Sequence, residues 1–139
     1  MNPSVKKEFY VNTYDIDIAG HLNNVVYIKW MEELRNLLFE DILNFASFIE
    51  EGFYSVVIST SIKYKEEIRF NEKPIGRIRL EDYKQGVLKF VFDFIVKDSI
   101  VARAEQKCVI MNLKKSKMVV DEKIKKRVEL QEELPLLEN

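Results

Sequence analysis

The sequence predicts an α+β fold in which an antiparallel sheet of five or six strands wraps around one long central helix. Three observations predict it. Helical periodicity is concentrated in one stretch, roughly 24–45, where Tyr27, Trp30, Met31, Leu34, Leu37, Leu38, Ile42 and Phe45 recur at steps of three or four. From about 53 to 120 the pattern changes to strand-like alternation, strictest at Leu88, Phe90, Phe92, Phe94 and Val96. Short polar turns separate these segments, and tight turns make neighbouring strands antiparallel. One face of such a sheet must be covered, and only the long helix is large and apolar enough to cover it.

In chain order, VKKEFYVN at 5–12 reads as a short strand of aromatic and branched residues. A polar stretch with Gly20 follows, from Asp15 to Asn24. Asn23 or Asn24 can cap the helix, because a short amide oxygen accepts a free first-turn N–H. Lys29, Glu33, Asn36 and Glu40 fall on the helix face opposite the apolar one. That apolar face is wide and asks for cover on more than one side. YSVVISTSIKYKEEIRF at 54–70 reads as a long strand, with Ile62, Tyr64, Glu66 and Ile68 on one side. NEKPIG is a turn broken by Pro74 and Gly76. Strands then alternate with turns: RIRLEDY, KQG, LKFVFDFIV, KDS, IVARAEQKCVIMNL, KKSK and a last short MVV. The charged tail, 121–139, reads as a short peripheral helix.

A chain of 139 residues suits one domain, 1–139. The net charge of −1 argues against a dedicated nucleic-acid binder, which concentrates basic residues on one face. Cys108 is the only cysteine and His21 the only histidine, so neither an intrachain disulfide nor a zinc site of the usual ligand kinds is expected. With only four glycines there is no Gly-rich phosphate loop, and no nucleotide cofactor is expected. The first residues lack the long apolar segment of a secretory signal, and no stretch approaches the roughly 18 apolar residues of a membrane span. The expected location is the cytoplasm.

The chemistry-bearing residues gather in YDIDIAGHLNNVVYIKWMEELR, Tyr14 to Arg35. Two acids, the only histidine, a glycine and two asparagines precede a helix. A helix N-terminus presents unpaired N–H groups and the positive end of its dipole. Aimed at a carbonyl oxygen, these stabilise the negative charge that develops during acyl transfer. A nearby carboxylate can attack the carbonyl or activate water. A turn centred on Gly20 would bring Asp17 to Asn24, and His21 could orient the acid, position water or protonate the departing group. The residues alone leave a plainer reading open. Asp15 and Asp17 could be turn residues, His21 a hydrogen-bonded structural residue, and Asn23 and Asn24 only caps.

The run Asp15-Ile-Asp17-Ile-Ala-Gly20-His21-Leu-Asn23-Asn24-Val-Val-Tyr27-Ile-Lys-Trp30 strongly resembles the signature of hotdog-fold thioesterases. The relatives meant are the 4-hydroxybenzoyl-CoA thioesterase type, short bacterial acyl-CoA thioesterases and plant acyl-ACP thioesterases. Glu32 and Arg35 match a frequent Glu-x-x-Arg ending. The resemblance implies that Asp17 is the catalytic carboxylate, that the Asn24 backbone N–H polarises the thioester carbonyl, and that His21 matches the histidine of the acyl-ACP branch. Two departures blur the division of labour. Ala19 stands where that branch often has Asn, and another bacterial branch has His at the position of Asn24. Asp15 is expected to be a supporting or turn residue.

The expected function is therefore hydrolysis of an acyl-CoA to free acid and CoA. The alternatives are an acyl-ACP thioesterase and a non-catalytic acyl-CoA-binding protein. A hotdog hydratase is disfavoured, because its Asp-x-Asn-Pro-x-His motif has one more residue between acid and histidine. The resemblance also implies a homodimer or homotetramer, paired edge to edge, with the active site at the subunit interface. No basic residue among Lys63, Lys65, Arg69, Arg77, Arg79, Arg103, Lys114, Lys115 and Lys117 stands apart as a CoA phosphate ligand, and no docking patch for an acidic carrier protein is evident. Phe90, Phe92 and Phe94, like Tyr27 and Trp30, read as core packed between sheet and helix, with an acyl-tunnel lining as the second reading. Cys108 reads as a buried neutral thiol.

Overall fold

The computed structural model describes residues 3–122 and 124–126. Strand β1 (Ser4–Glu8) leads through a 3-10 turn (Thr13–Asp15) to helix α1 (Asn24–Ile42) and the short α2 (Phe45–Glu50). Strands β2 (Phe53–Tyr64), β3 (Ile75–Lys84), β4 (Val87–Val96), β5 (Ser99–Asn112) and β6 (Lys117–Val119) follow. They form one six-stranded sheet in the order β1-β3-β4-β5-β2, with β6 paired to β5. Every pairing is antiparallel, as the tight turns predict.

Two of those turns have a specific cause. Gln85 and Gly86 connect β3 to β4 with φ of 53° and 79°, and Lys97 and Asp98 connect β4 to β5 with φ of 50° and 66°. Two consecutive positive φ values twist a two-residue loop in the sense of the strands it joins. Register is thereby set so that Phe90, Phe92 and Phe94 all point inward, and each is fully buried. They face Val26, Tyr27, Trp30, Met31, Leu34 and Leu38 of α1, all buried. The aromatic row is therefore core.

The elements differ from the sequence pattern at four places. The helical stretch is two helices: Leu43 turns extended (φ −155°), and the Asn44 side chain accepts the Ser47 N–H at 3.0 Å, starting α2. An Asn oxygen that captures a nearby N–H competes with helix continuation. On α1, Phe39 is buried while Leu37 is 41 % exposed, so the apolar face lies one position away from the predicted one there. β1 stops at Glu8, and the Phe9 N–H then pairs with the Pro74 carbonyl at 2.8 Å. β2 stops at Tyr64, because the N–H groups of Lys65 and Glu66 both converge on the Val101 carbonyl (2.8 and 3.0 Å). That irregularity bends the chain off the sheet, as bulges do, and Glu66 is exposed while Ile68 is buried. The helix expected in the tail is described only at Glu122 and at 124–126, and the rest of it lies outside the described residues.

Gly76 shows how closely α1 sits on the sheet. A Cβ there would lie 2.6 Å from the Phe9 ring and 3.0 Å from Leu34 Cδ1. Both neighbours are buried, so neither can swing into solvent. Gly76→Ala is expected to lower stability by about 1–3 kcal/mol through overpacking. Urea unfolding checks this, and an unchanged midpoint would show that helix and sheet have slack at this contact.

Candidate active site

The loop between the 3-10 turn and α1 is built by its own side chains. Asp15 is buried, and its Oδ2 accepts the backbone N–H of Asn12 (2.9 Å) and the Asn12 amide (3.1 Å). Its carbonyl also accepts the Asn23 N–H at 2.8 Å. Asp15 is thus a turn residue, committed on both sides. Asp17 closes the next turn. Its N–H donates to the His21 carbonyl (2.9 Å), and its Oδ1 accepts the N–H groups of Ala19 (2.9 Å) and His21 (3.1 Å). Gly20 makes the reversal possible with a φ of 78°, a conformation that costs glycine little. Asp17 is exposed, and among the described residues its Oδ2 has no hydrogen bond. One oxygen builds the loop and the other faces solvent.

The chain that leaves β2 comes back over this loop. The Leu22 N–H donates to the Ile68 carbonyl (2.7 Å), the Phe70 N–H to the Gly20 carbonyl (3.2 Å), and His21 and Arg69 form an isolated antiparallel bridge. This excursion brings Glu67 to His21, where its Oε2 lies 2.5 Å from Nδ1. With Nδ1 occupied, Nε2 is the ring nitrogen left for chemistry. Asn23 is the helix cap, accepting the Val25 N–H at 3.2 Å. Asn24 is the first residue of α1, and among the described residues its N–H makes no hydrogen bond.

Asp17, His21 and Asn24 line one cleft of about 330 Å³, together with Leu22, Tyr27, Tyr64 and Glu67. All three residues expected from the sequence are therefore brought together. Leu22, Tyr64 and Glu67 are the lining residues that the sequence did not mark as part of a site. Tyr27 read as core first and as a tunnel lining second, and Glu67 and Tyr64 read as strand faces. No local pattern ties them to a loop more than forty residues earlier. A hollow of about 420 Å³ lies at the other end of the molecule, between α2 and β6, but the only histidine is in the smaller cleft.

The floor of the cleft is aromatic. Tyr27 and Tyr64 meet edge to face at 5.1 Å, and Tyr27 packs edge to face on Phe94 at 5.3 Å. Burial, and then the neighbouring Tyr64, push the Tyr27 hydroxyl up to about 12, and burial also raises Tyr64. Both phenols stay protonated at neutral pH. Burial pushes the Cys108 thiol up to about 11 despite the opposing Arg35 charge. A thiol so held is not a nucleophile near pH 7.

Residues 11–134 match the model of the thioesterase-like superfamily. YneP of Bacillus subtilis (strain 168), a protein named provisionally as an acyl-CoA thioesterase, is 29% identical over 79 residues. That match covers 56% of this chain and 57% of YneP, so the chain spans little more than half the length of its curated relative. A DHNA-CoA thioesterase from Staphylococcus aureus superposes with a TM-score of 0.85 at 17% identity, over 96% of this chain and 97% of the other. A thioesterase from Thermus thermophilus, solved with coenzyme A and Zn, superposes with a TM-score of 0.80 at 21% identity, over 97% and 98%. The single sheet curled on one helix and the match over residues 11–134 agree: the chain belongs to the thioesterase-like superfamily and has the hotdog fold.

Proposed function

We propose that this cleft hydrolyses an acyl-CoA thioester to a free acid and CoA. The observation that carries the reading is one cleft holding the open oxygen of Asp17, His21 braced by Glu67, and Asn24, the first residue of α1. A carbonyl oxygen seated at Asn24 would meet its unpaired backbone N–H and the positive dipole end of the helix. The negative charge of the tetrahedral intermediate develops there, and one such donor changes rates by on the order of 100- to 1000-fold. Asp17 then acts in one of two ways. As general base it takes a proton from water as the water oxygen bonds to the carbonyl carbon. As nucleophile its oxygen bonds to that carbon directly, giving a mixed anhydride that water later cleaves. In both routes the C–S bond breaks as the oxyanion collapses, and the thiolate of CoA takes up a proton, with His21 as the donor in this reading.

The reading extends to a second copy of the chain. Among the described residues β2 is a free edge of the sheet, and along it Tyr54, Val56 and Val57 are each 38% exposed and Ile58 is 57% exposed. A long apolar edge invites pairing. Edge-to-edge pairing of two copies would give a continuous sheet, a homodimer, and a cleft shared between subunits, since Tyr64 ends that same strand.

The experiment is thiol release from a panel of acyl-CoAs, followed colorimetrically. Turnover supports hydrolysis. Tight binding of acyl-CoA without turnover, on CoA and carrier-protein thioesters alike, would favour a binding protein instead.

Glu67 is assigned as a positioning residue for His21. Glu67→Gln removes the carboxylate but keeps an oxygen that can accept the Nδ1 proton. The expected result is a fall in kcat of about tenfold, with KM and thermal midpoint essentially unchanged. A kcat equal to that of the original protein would remove Glu67 from the mechanism.

A further inference from the structure

Arg35 carries a positive charge from α1 into the interior between helix and sheet, and the residue is only 8% exposed. Its Nη1 donates to the side-chain oxygen of Gln106 on β5 at 2.5 Å, and the Gln106 amide donates in turn to the Thr60 hydroxyl on β2 at 3.1 Å. Both partners are neutral. Glu32, three residues earlier, could meet Arg35 on the helix surface. Glu32 is exposed instead, and among the described residues Arg35 has no ion pair and no other hydrogen bond. A guanidinium presents several N–H donors in a planar fork, so most of this fork is unused. A buried cation that meets only neutral groups is costly. A carboxylate laid against the fork would offset that cost through paired, charge-assisted hydrogen bonds.

The guanidinium stands in a fixed relation to the cleft. Tyr27, Met31 and Arg35 follow at steps of four and share one stripe of α1. Tyr64, Ile62 and Thr60 share the face of β2 turned toward α1. They pair with Ala102, Ala104 and Gln106, which pair in turn with the buried Phe94, Phe92 and Phe90. At one end of these two rows Tyr27 meets Tyr64 on the cleft floor. At the other end Arg35 is joined to Thr60 through Gln106. One seam between helix and strand therefore leads from the cleft to the guanidinium. Its length is about 12 Å by the helix rise from Tyr27 to Arg35, and about 13 Å by the strand rise from Tyr64 to Thr60. Met31 and Ile62 hold the intermediate positions, and both are apolar. Among the described residues β2 ends the sheet, and Thr60 is exposed, so the seam opens along that edge.

We infer that Arg35 is a specificity residue that takes a carboxylate at the far end of the acyl chain, so that the favoured substrates are monothioesters of dicarboxylic acids. The inference rests on the thioesterase reading for the place of the thioester, at Asp17 and Asn24, while the anion subsite rests on Arg35 itself. The apolar middle of the seam suits methylene groups, and its two polar ends suit the thioester and the acid. A methyl group at the far end would leave the buried cation with its neutral partners only.

The test compares carboxyl-ended and methyl-ended thioesters of matched length: adipyl-CoA with hexanoyl-CoA, suberyl-CoA with octanoyl-CoA, and sebacyl-CoA with decanoyl-CoA. At the length that spans the seam, the full chain is expected to favour the carboxyl-ended member by about tenfold or more in kcat/KM. Gln106→Glu is the informative variant. It keeps the size of the side chain and sets a carboxylate against Arg35 from within the chain, so its thermal midpoint should be no lower than that of the original protein. The ratio of carboxyl-ended to methyl-ended turnover is expected to fall toward unity in it, and likewise in Arg35→Met, which removes the cation. A purely structural Arg35 would not move this ratio. Binding is read separately from turnover: the free diacids, and not the matching monoacids, are expected to raise the thermal midpoint of the full chain. Equal turnover of both members at every length overturns the inference and leaves the hydrolase reading standing. A preference that Gln106→Glu leaves intact overturns the inference too. If no thioester is hydrolysed, but the diacids raise the midpoint of the full chain and not of Gln106→Glu, the subsite stands and the hydrolase reading falls. If no thioester is hydrolysed and the diacids leave the midpoint unchanged, both fall.

Discussion

Replacing Asp17 by Asn is expected to slow thiol release from acyl-CoA by on the order of 100- to 10,000-fold, the range that a positioned general base or nucleophile contributes. Asn is the informative replacement because of what Asp17 does locally. Its Oδ1 accepts two backbone N–H groups, from Ala19 and His21. An Asn oxygen can keep both bonds, so the loop and the placement of His21 survive. What is lost is the negative charge and basicity of the outward-facing oxygen. Asp17→Ala would remove the charge and the loop's internal bonds together, and a loss of activity would then say little. The thermal midpoint of Asp17→Asn should stay close to that of the original protein. Equal turnover by the two proteins would show that Asp17 is a turn residue and nothing more, the plainer reading that its Oδ1 bonds already illustrate.

That double duty explains what the sequence could and could not reveal. The spacing from Asp17 through Gly20 to Asn24 is local, and local geometry follows from it: a positive-φ glycine, an Asx-type turn, a capped helix. The same holds for the strands, where period-two alternation and short polar turns predict five or six antiparallel strands. Glu67 is different. Its approach to His21 depends on β2 ending at Tyr64, and that ending depends on two N–H groups sharing the Val101 carbonyl. The pairing joins parts of the chain that no short-range pattern connects. The break between α1 and α2 was missed for the opposite reason. Apolar periodicity runs on through Phe45, and a single Asn44 side chain overrides it. Arg35 is the most extreme case. It and its partners Gln106 and Thr60 are ordinary helix and strand residues one at a time, and only the packing of α1 on the sheet joins them.

Phe94→Ala is expected to cost about 3–5 kcal/mol, the upper range for removing a large core side chain. The magnitude follows from what surrounds the ring. Phe94 is wholly enclosed by its neighbours, with a relative accessibility of 0%. Across the sheet it pairs with Gly76 on one side and Ala102 on the other, so its ring occupies the space these two small residues leave. Above it lie Tyr27 at 5.3 Å and Trp30 at 6.2 Å, both anchored in α1. When the ring is removed, Gly76 and Ala102 have no side chain to move into the void, and α1 cannot settle closer, because Phe9 and Leu34 already touch the backbone at Gly76. The cavity therefore stays open, the condition under which such substitutions cost most. Domains of this size are stable by about 5–15 kcal/mol, so the variant should still fold in part at 25 °C with a much lower urea midpoint. Tyr27 loses a wall of its packing and is itself part of the cleft floor, so activity should fall even in the folded fraction. A midpoint shift equivalent to less than about 1 kcal/mol would mean that helix and sheet close over the gap, and the tight contact at Gly76 could not then be what sets their separation.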